Sequence, residues 1–217
     1  MPPCVRLVAT DIDGTLLRPD GSVSARTRAA VAATRERGVR VVLVTGRPVR
    51  TARPIAAAVA AHDLLVCSNG AIVYDLTREA VVAHRPIAPE AARAVIVALR
   101  QALPGVRFGF ELGLRWACER GWAALSGAEE SHAEDALVLC DEPATKVVVR
   151  HPRASVEELL VAVRALGQGH VVATHSGAPF VELSAAGVDK AAAGERGRSA
   201  VSVDAAERAA AGRQCQK

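Results

Sequence analysis

Residues 10–17, "TDIDGTLL", follow the apolar run "CVRLVA" at residues 4–9 and place Asp11 and Asp13 one residue apart, just before Gly14. Two interpretations are open from these residues alone. Asp-Gly is a strong turn dipeptide, and apolar runs on both sides of it are typical of a β-hairpin. Alternatively, the two carboxylates stand at the end of a buried strand and form part of a site. The other segments of the chain decide between the two.

The N-terminal part of the chain alternates between predicted strands and helices. Apolar runs at residues 5–10, 39–44 and 63–70 predict three strands, and the β-branched second run is typical of a strand buried on both faces. A helical pattern separates the first two strands, with Ser24 as its N-cap and Gly38 just past its end. An alanine-rich helical segment separates the second and third. Such alternation predicts an α/β fold with a doubly wound parallel sheet.

After about residue 82 the pattern becomes a mixture of helices and closely spaced strands. Helices are predicted at residues 89–105 and 155–167, and strands at residues 106–112, 145–150, 170–176 and 180–185. This mixture is typical of an α+β domain with antiparallel pairs. We therefore predict a core of residues 1–82 and 187–217 with a cap domain of residues 83–186 inserted between them.

The composition excludes several classes of protein. Aromatic residues make up 3% of the 217 residues, too few for stacking on single-stranded nucleic acid, and the net charge of +4 comes mostly from scattered arginines. We expect no nucleic-acid partner. No apolar run approaches the roughly 20 residues that span a bilayer, so we expect no membrane association. The five cysteines form no C-x-x-C pair, and their odd number, with no predicted signal peptide, predicts a reducing, cytoplasmic location.

Each of the three N-terminal strands ends in a polar, turn-forming sequence. These sequences are "DIDGT", "TGR" and "SNG". Ligands bind at the carboxyl ends of parallel strands, so the three loops are expected at one edge of the sheet. Two carboxylates there can serve as a nucleophile, a general acid and base, or a site for a hard cation. Since a hairpin around Asp13 does not explain the other two loops, we favour a site.

The same residues resemble the motifs of the haloacid dehalogenase-like (HAD) hydrolases. "DIDGTLL" at residues 11–17 is similar to the first motif, "VVLVTGRP" with Thr45 to the second, and "GVDKAAA" with Lys190 to the third. "CSNGAIVYD" resembles the third-strand loop of the Cof-type branch, which carries its cap between the second and third motifs. The resemblance covers residues 4–193 and implies a Rossmannoid α/β core with an inserted α+β cap.

The resemblance also implies a magnesium-dependent phosphatase acting on a small phosphorylated metabolite, such as a sugar phosphate or a phosphoglycolate-like compound. Asp11 would be the nucleophile that forms an aspartyl-phosphate, and Asp13 would protonate the leaving alcohol and later activate water. Thr45 would hydrogen-bond the phosphoryl oxygens, and Lys190 would neutralise their charge. The cap would determine which substrate is accepted.

Further roles follow from the resemblance for the metal and the substrate. Mg²⁺ would bind the Asp11 carboxylate and the main-chain carbonyl of Asp13, and it would offset the repulsion between a carboxylate and a phosphate. Gly46, Arg47 and Asn69 are weaker candidates, for contact with the substrate.

The family's fourth motif, an acidic G-D-x-x-x-D loop that completes the magnesium site, has no counterpart after Lys190. We therefore predict a core that is incomplete at its C-terminus, with a tail out of frame or truncated, and a first strand with an unpaired edge. "AVSVD" at residues 200–204 is a weak substitute strand, because the tail lacks the loop glycine and the second acid of the motif.

Three alternatives stay open. A catalytically impaired or non-catalytic HAD-like remnant would explain the absent fourth motif. A phosphomutase would share the core and the nucleophile. A receiver-type signalling domain also combines Asp, Thr and Lys on a parallel sheet, but its acids are adjacent and it carries no insert of this size. No feature of the sequence predicts an oligomeric state.

Overall fold

The computed structural model describes residues 5–123, 133–167 and 169–188, which fall into two compact units. Residues 5–83 belong to the first, here called the core unit, and residues 84–188 belong to the second, the cap unit. Lys190 and the predicted tail lie outside the described residues. None of the helices in the described part has the length and apolarity needed to cross a bilayer.

The core unit is built on a five-stranded sheet. Its elements are β1 (Leu7–Asp11), α1 (Ala25–Glu36), β2 (Arg40–Val44), α2 (Val49–Ala58), β3 (Leu64–Cys67), β4 (Ile72–Asp75) and β5 (Ala80–His84). The strand order is β1-β2-β3-β4-β5, with β1, β2 and β3 parallel and β4 antiparallel to β3. Ser24 caps α1 by accepting the Thr27 N–H at 2.9 Å, and Gly38 follows the helix with φ 74°, so both predicted helix signals are confirmed.

Both crossover helices of the described core pack on one face of its sheet. Val31 of α1 and Ala52 of α2 share a buried cluster with Leu43 of β2. The neighbouring Val42 belongs to a separate cluster on the opposite face, together with Val66 of β3. Successive residues of a strand point to opposite faces, so the apolar run of β2 is buried on both sides, as predicted.

The first strand is less buried than its apolar sequence predicted. Val8 is 38% exposed, Ala9 is exposed, and within the described residues β1 pairs with β2 alone. The prediction of a buried strand at residues 5–10 is therefore wrong. Among the described residues β1 has a neighbouring strand on one side only, and a strand in that position keeps part of its surface accessible.

The cap unit is a six-stranded sheet with helices on one face. Its strands are β6 (Arg107–Leu112), β7 (Arg115–Glu119), β8 (Ala133–Glu134), β9 (Lys146–Arg150), β10 (Val171–Thr174) and β11 (Val181–Ala185), and its helices are α3 (Pro89–Ala102), α4 (Ala136–Leu139) and α5 (Val156–Leu166). The order is β10-β11-β9-β6-β7-β8, and every neighbouring pair except β7–β8 is antiparallel. Val147 and Leu183 of the sheet pack with Ile96 of α3 and Val163 of α5.

A capping box begins helix α5, and it gives a test of the local fold. Ser155 Oγ accepts the Glu158 N–H at 3.2 Å, and the Glu158 carboxylate accepts the Ser155 N–H at 2.8 Å. We expect Ser155→Ala to lower the free energy of unfolding by about 1 kcal/mol, measured by urea denaturation. Ser176→Ala, in the exposed loop after β10, is the control and should leave it unchanged. Equal losses in the two variants would contradict the role of the cap.

Candidate functional site

A tight turn presents the two aspartates at the carboxyl end of β1. Asp11 is the last residue of β1, and its Oδ1 accepts the Ile12 N–H at 2.8 Å. Ile12 and Leu16 are buried, which fixes the turn, and Gly14 reverses the chain with φ 71°. Because β1 pairs in parallel with β2, Asp13 and Gly14 do not close a β-hairpin on that strand.

The loops that follow β2 and β3 are bound to each other through their backbones. The Thr45 N–H donates to the Val66 carbonyl at 2.8 Å, and the Asn69 N–H donates to the Thr45 carbonyl at 3.0 Å. The Ser68 N–H donates to the Arg47 carbonyl at 2.9 Å. Three of the predicted residues therefore lie in one bonded pair of loops at this edge of the sheet.

The parallel register brings these loops beside the first aspartate. Asp11 pairs in register with Val44, the residue before Thr45. Thr45 is fully buried, and its Oγ1 accepts the Arg47 N–H at 3.1 Å. The threonine is thus held in a fixed position next to the strand that carries Asp11.

Gly46 allows the Asn69 amide to approach the loop after β2. A Cβ at position 46 would lie 3.0 Å from Asn69 Oδ1, which is closer than nearly all real contacts of a Cβ. Asn69 is buried and has φ 56°, a left-handed conformation that asparagine tolerates better than most residues. The two predicted substrate contacts, Gly46 and Asn69, therefore depend on each other sterically.

The second aspartate forms a two-point ion pair with the predicted arginine. Arg47 Nε donates to Asp13 Oδ2 at 2.9 Å, and Arg47 Nη2 donates to Asp13 Oδ1 at 2.7 Å. These hydrogen bonds raise the pKa of the Arg47 guanidinium. The side chains of Arg47 and Asp13 are 39% and 52% exposed, so water screens much of their attraction. The pair orients the Asp13 carboxylate more than it stabilises the fold.

The predicted metal ligands, Asp11 and Asp13, offer oxygen atoms of the kind that bind a magnesium ion. The Asp11 carboxylate and the Asp13 carbonyl are hard oxygen donors, and Mg²⁺ is commonly held by one or two carboxylates together with water and substrate phosphate. Within the described residues no group of three or more His, Cys, Asp or Glu side chains could hold a metal. The predicted protein ligands among the described residues are therefore two, the Asp11 carboxylate and the Asp13 carbonyl.

The sequence prediction missed Ser68. Its side chain is buried, and its Oγ has no hydrogen-bond partner among the described residues. Its φ of 50° is uncommon outside glycine and asparagine, and such strained residues cluster at functional sites. Its place in "SNG", at the end of the third predicted strand, is the signal that could have found it. The predicted Lys190 lies outside the described residues.

The exposure of the Asp13–Arg47 pair predicts a small contribution to stability. We expect Arg47→Ala to lower the free energy of unfolding by about 1 kcal/mol or less, because exposed ion pairs contribute little. Arg115→Ala is the matched control, since Arg115 also pairs with an exposed carboxylate, that of Glu142, at 2.6 Å. Urea denaturation of both variants measures the effect. A loss of several kcal/mol in Arg47→Ala alone would contradict a mainly orienting role.

Part of the sequence is similar to that of curated phosphatases. The chain is 34% identical over 91 residues to the HMP-PP phosphatase of Klebsiella pneumoniae (strain 342), covering 42% of this chain and 33% of that protein. It is 34% identical over 82 residues to the pyridoxal phosphate phosphatase YbhA of Escherichia coli (strain K12), covering 38% of this chain and 30% of that protein. The chain thus aligns with about a third of the length of these curated relatives.

The fold is similar to that of solved structures. TM0651 from Thermotoga maritima superposes with a TM-score of 0.74 at 21% identity, over 92% of this chain and 76% of that chain. A family model described as haloacid dehalogenase-like hydrolase matches residues 8–213, which is most of the sequence. The chain therefore belongs to the haloacid dehalogenase-like hydrolases, in the Cof-type branch that its motifs predicted.

Proposed function

We propose that this protein is a magnesium-dependent phosphatase that hydrolyses a small phosphomonoester through an aspartyl-phosphate on Asp11. The observation that carries the proposal is the meeting of three strand-end loops, where Asp11, the buried Thr45 and the Asp13–Arg47 pair share one edge of the core sheet. Relatives named as phosphatases of small phosphorylated compounds support the same reaction class. A cytoplasmic location suits such substrates.

In the first step a carboxylate oxygen of Asp11 attacks the phosphorus atom. A bond forms between this oxygen and phosphorus while the bond from phosphorus to the ester oxygen breaks, and the departing alcohol takes a proton from the Asp13 carboxyl group. Asp13 is two residues from the nucleophile, so the turn at Gly14 keeps both groups on one short, fixed segment. For this role Asp13 must leave the Arg47 guanidinium and bind a proton.

In the second step Asp13, now a carboxylate, takes a proton from water. The water oxygen attacks phosphorus, the bond from phosphorus to Asp11 breaks, and inorganic phosphate leaves. The donors around the phosphoryl group hold it in line for both displacements, and positioning with charge neutralisation is most of what phosphoryl transfer requires. We assign Thr45 Oγ1 to a phosphoryl oxygen, and Lys190 to the neutralisation of its charge.

Arg47 provides a second cation for the same phosphoryl group. Its guanidinium has a planar array of donors that matches either a carboxylate or a phosphate, so it can exchange Asp13 for a phosphoryl oxygen. Such an exchange would release Asp13 for its proton transfer when a substrate binds. Mg²⁺, when bound by Asp11 and the Asp13 carbonyl, supplies the positive charge that lets a carboxylate approach a phosphate dianion.

Replacement of the nucleophile tests the proposal directly. We expect the wild-type chain to hydrolyse p-nitrophenyl phosphate in the presence of Mg²⁺ and to lose this activity with EDTA. Asp11→Asn should fall to background, because an amide does not attack phosphorus. Asp20→Asn, in the exposed turn at residues 19–21, is the control and should retain full activity. Equal rates in Asp11→Asn and wild type would refute the assignment.

The second aspartate should reveal the covalent intermediate. We expect Asp13→Asn to slow turnover by roughly 10²- to 10⁴-fold, as does the loss of a general acid and base. With an activated aryl phosphate, whose leaving group needs no proton, this variant should accumulate label on the peptide that contains Asp11. Hydroxylamine should remove the label, as it does from an acyl phosphate. Rapid turnover without any trapped label in Asp13→Asn would argue against the two-step reaction.

A further inference from the structure

The last strand of the core sheet is exposed on both faces. Among the described residues β5 pairs with β4 alone, and all five residues of β5 are exposed. Val81 and Val82 are 40% and 41% exposed, and as neighbours in a strand they point to opposite faces of the sheet. By contrast, every residue of β4 is buried. The exposure therefore belongs to β5 itself and not to this whole end of the sheet.

The sequence of β5 lacks the residues that usually protect an open sheet edge. It reads "AVVAH" and contains no lysine, proline or acidic residue. Edge strands commonly carry such residues, because an open row of backbone N–H and C=O groups pairs readily with another strand. Valine favours strands, and covering its apolar area is favourable. This edge is therefore suited to the addition of a strand from another molecule.

We propose that β5 pairs with β5 of a second copy of this chain, antiparallel and about a two-fold axis. Such symmetry requires one residue to lie opposite its own counterpart, because directly opposed side chains of a sheet point to the same face. With Val82 on the axis, Val81 of each copy lies opposite Ala83 of the other. A large side chain then meets a small one at both of these positions, and the strand is complementary to itself.

The same register brings opposite charges together at both ends of the pair. Glu79, just before β5, comes near Arg85, just after β5 of the second copy, and both residues are exposed. Glu79 already accepts a hydrogen bond from Arg53 at 2.5 Å, but the two oxygens of a carboxylate can accept more than one donor. With Val81 on the axis instead, Glu79 would lie opposite an alanine. Charge complementarity therefore favours the first register.

The size of the contact predicts a weak dimer that depends on concentration. Two five-residue strands bury less than the roughly 1,200–2,000 Å² of specific, stable interfaces. The backbone hydrogen bonds between the edges and the covered valines supply the affinity, so we expect a dissociation constant in the micromolar range. The pairing uses an edge of the core sheet and no step of the proposed reaction, so it is independent of the proposed function.

Sedimentation velocity of the full chain over a series of concentrations measures the pairing. We expect the wild type to shift from the mass of one chain to that of two. Val82→Lys should raise the dissociation constant at least about 10-fold, because it removes an apolar contact and places two like charges opposite each other. Val161→Lys is the matched control and should leave the dimer unchanged, since Val161 is 68% exposed on α5 of the cap unit.

A cross-link tests the register without removing an interaction. Oxidation of Val82→Cys should join two copies, because the Cβ atoms of directly opposite residues are only about 4.5–5.5 Å apart. The described cysteines, Cys67, Cys118 and Cys140, are buried. Val161→Cys and the wild type, treated with the same oxidant, give the background of linked chains, and Val82→Cys should clearly exceed it.

A charge exchange tests the contacts at the ends of the strand. Glu79→Arg should weaken the dimer at least about threefold, because it places two arginines near each other. The double variant Glu79→Arg/Arg85→Glu should restore the wild-type dissociation constant, since the opposite charges meet again. Loss of folding would not produce such a recovery.

Several outcomes would overturn the inference. These are a single chain at every concentration, larger assemblies in place of a dimer, and a dimer that Val82→Lys leaves intact. A dimer lost in Val8→Lys, on the other open edge at β1, but retained in Val82→Lys would assign the interface to β1 instead. Cross-linking of Val82→Cys at the background level would also refute the pairing.

Discussion

The candidate site depends on the backbone hydrogen bonds between the loops that end β2 and β3. The Thr45 N–H bonds to the Val66 carbonyl, and the Asn69 N–H bonds to the Thr45 carbonyl, so neither loop can move without the other. The parallel register of Asp11 with Val44 then places the first loop beside them. Because these are main-chain contacts, the position of the site is a property of the sheet, and side chains at the loop tips can change without moving it.

Some contacts between polar groups fix the orientation of side chains and contribute little to the free energy of unfolding. The exposed Asp13–Arg47 pair is screened by water, whereas the Lys146–Glu182 pair of the cap is buried and requires that each charge keep its partner. The core unit also has backbone strain at its candidate site, since Ser68 and Asn69 adopt left-handed conformations at the edge where the loops meet. Both units thus hold polar groups in conformations that packing alone would not select.

Most elements could be predicted from the sequence because their patterns are strong. The β-branched run of β2, the Ser24 cap of α1 and the helix predicted at residues 155–167 all correspond to the structure. The hairpin of β4 and β5 was not predicted, because β4 is short and every residue of β5 is exposed, which removes the alternation that marks a half-buried strand. The apolar run of β1 mispredicted its burial, because such a run does not indicate how many neighbouring strands it will have. The absence of the fourth motif, by contrast, already predicted an unpaired edge for this strand.

The sequence by itself determined the family, the α/β class and the three loops that carry Asp11, Asp13, Thr45 and Asn69, because short motifs follow strands whose apolar pattern is unambiguous. Only the tertiary structure decided which polar groups face one another. The pairing of Arg47 with Asp13, the buried hydroxyl of Ser68 and the buried Lys146–Glu182 pair of the cap sheet depend on strand register and on loop conformation. Strand register and loop conformation are set by contacts between segments far apart in the chain, so they cannot be predicted from local sequence patterns.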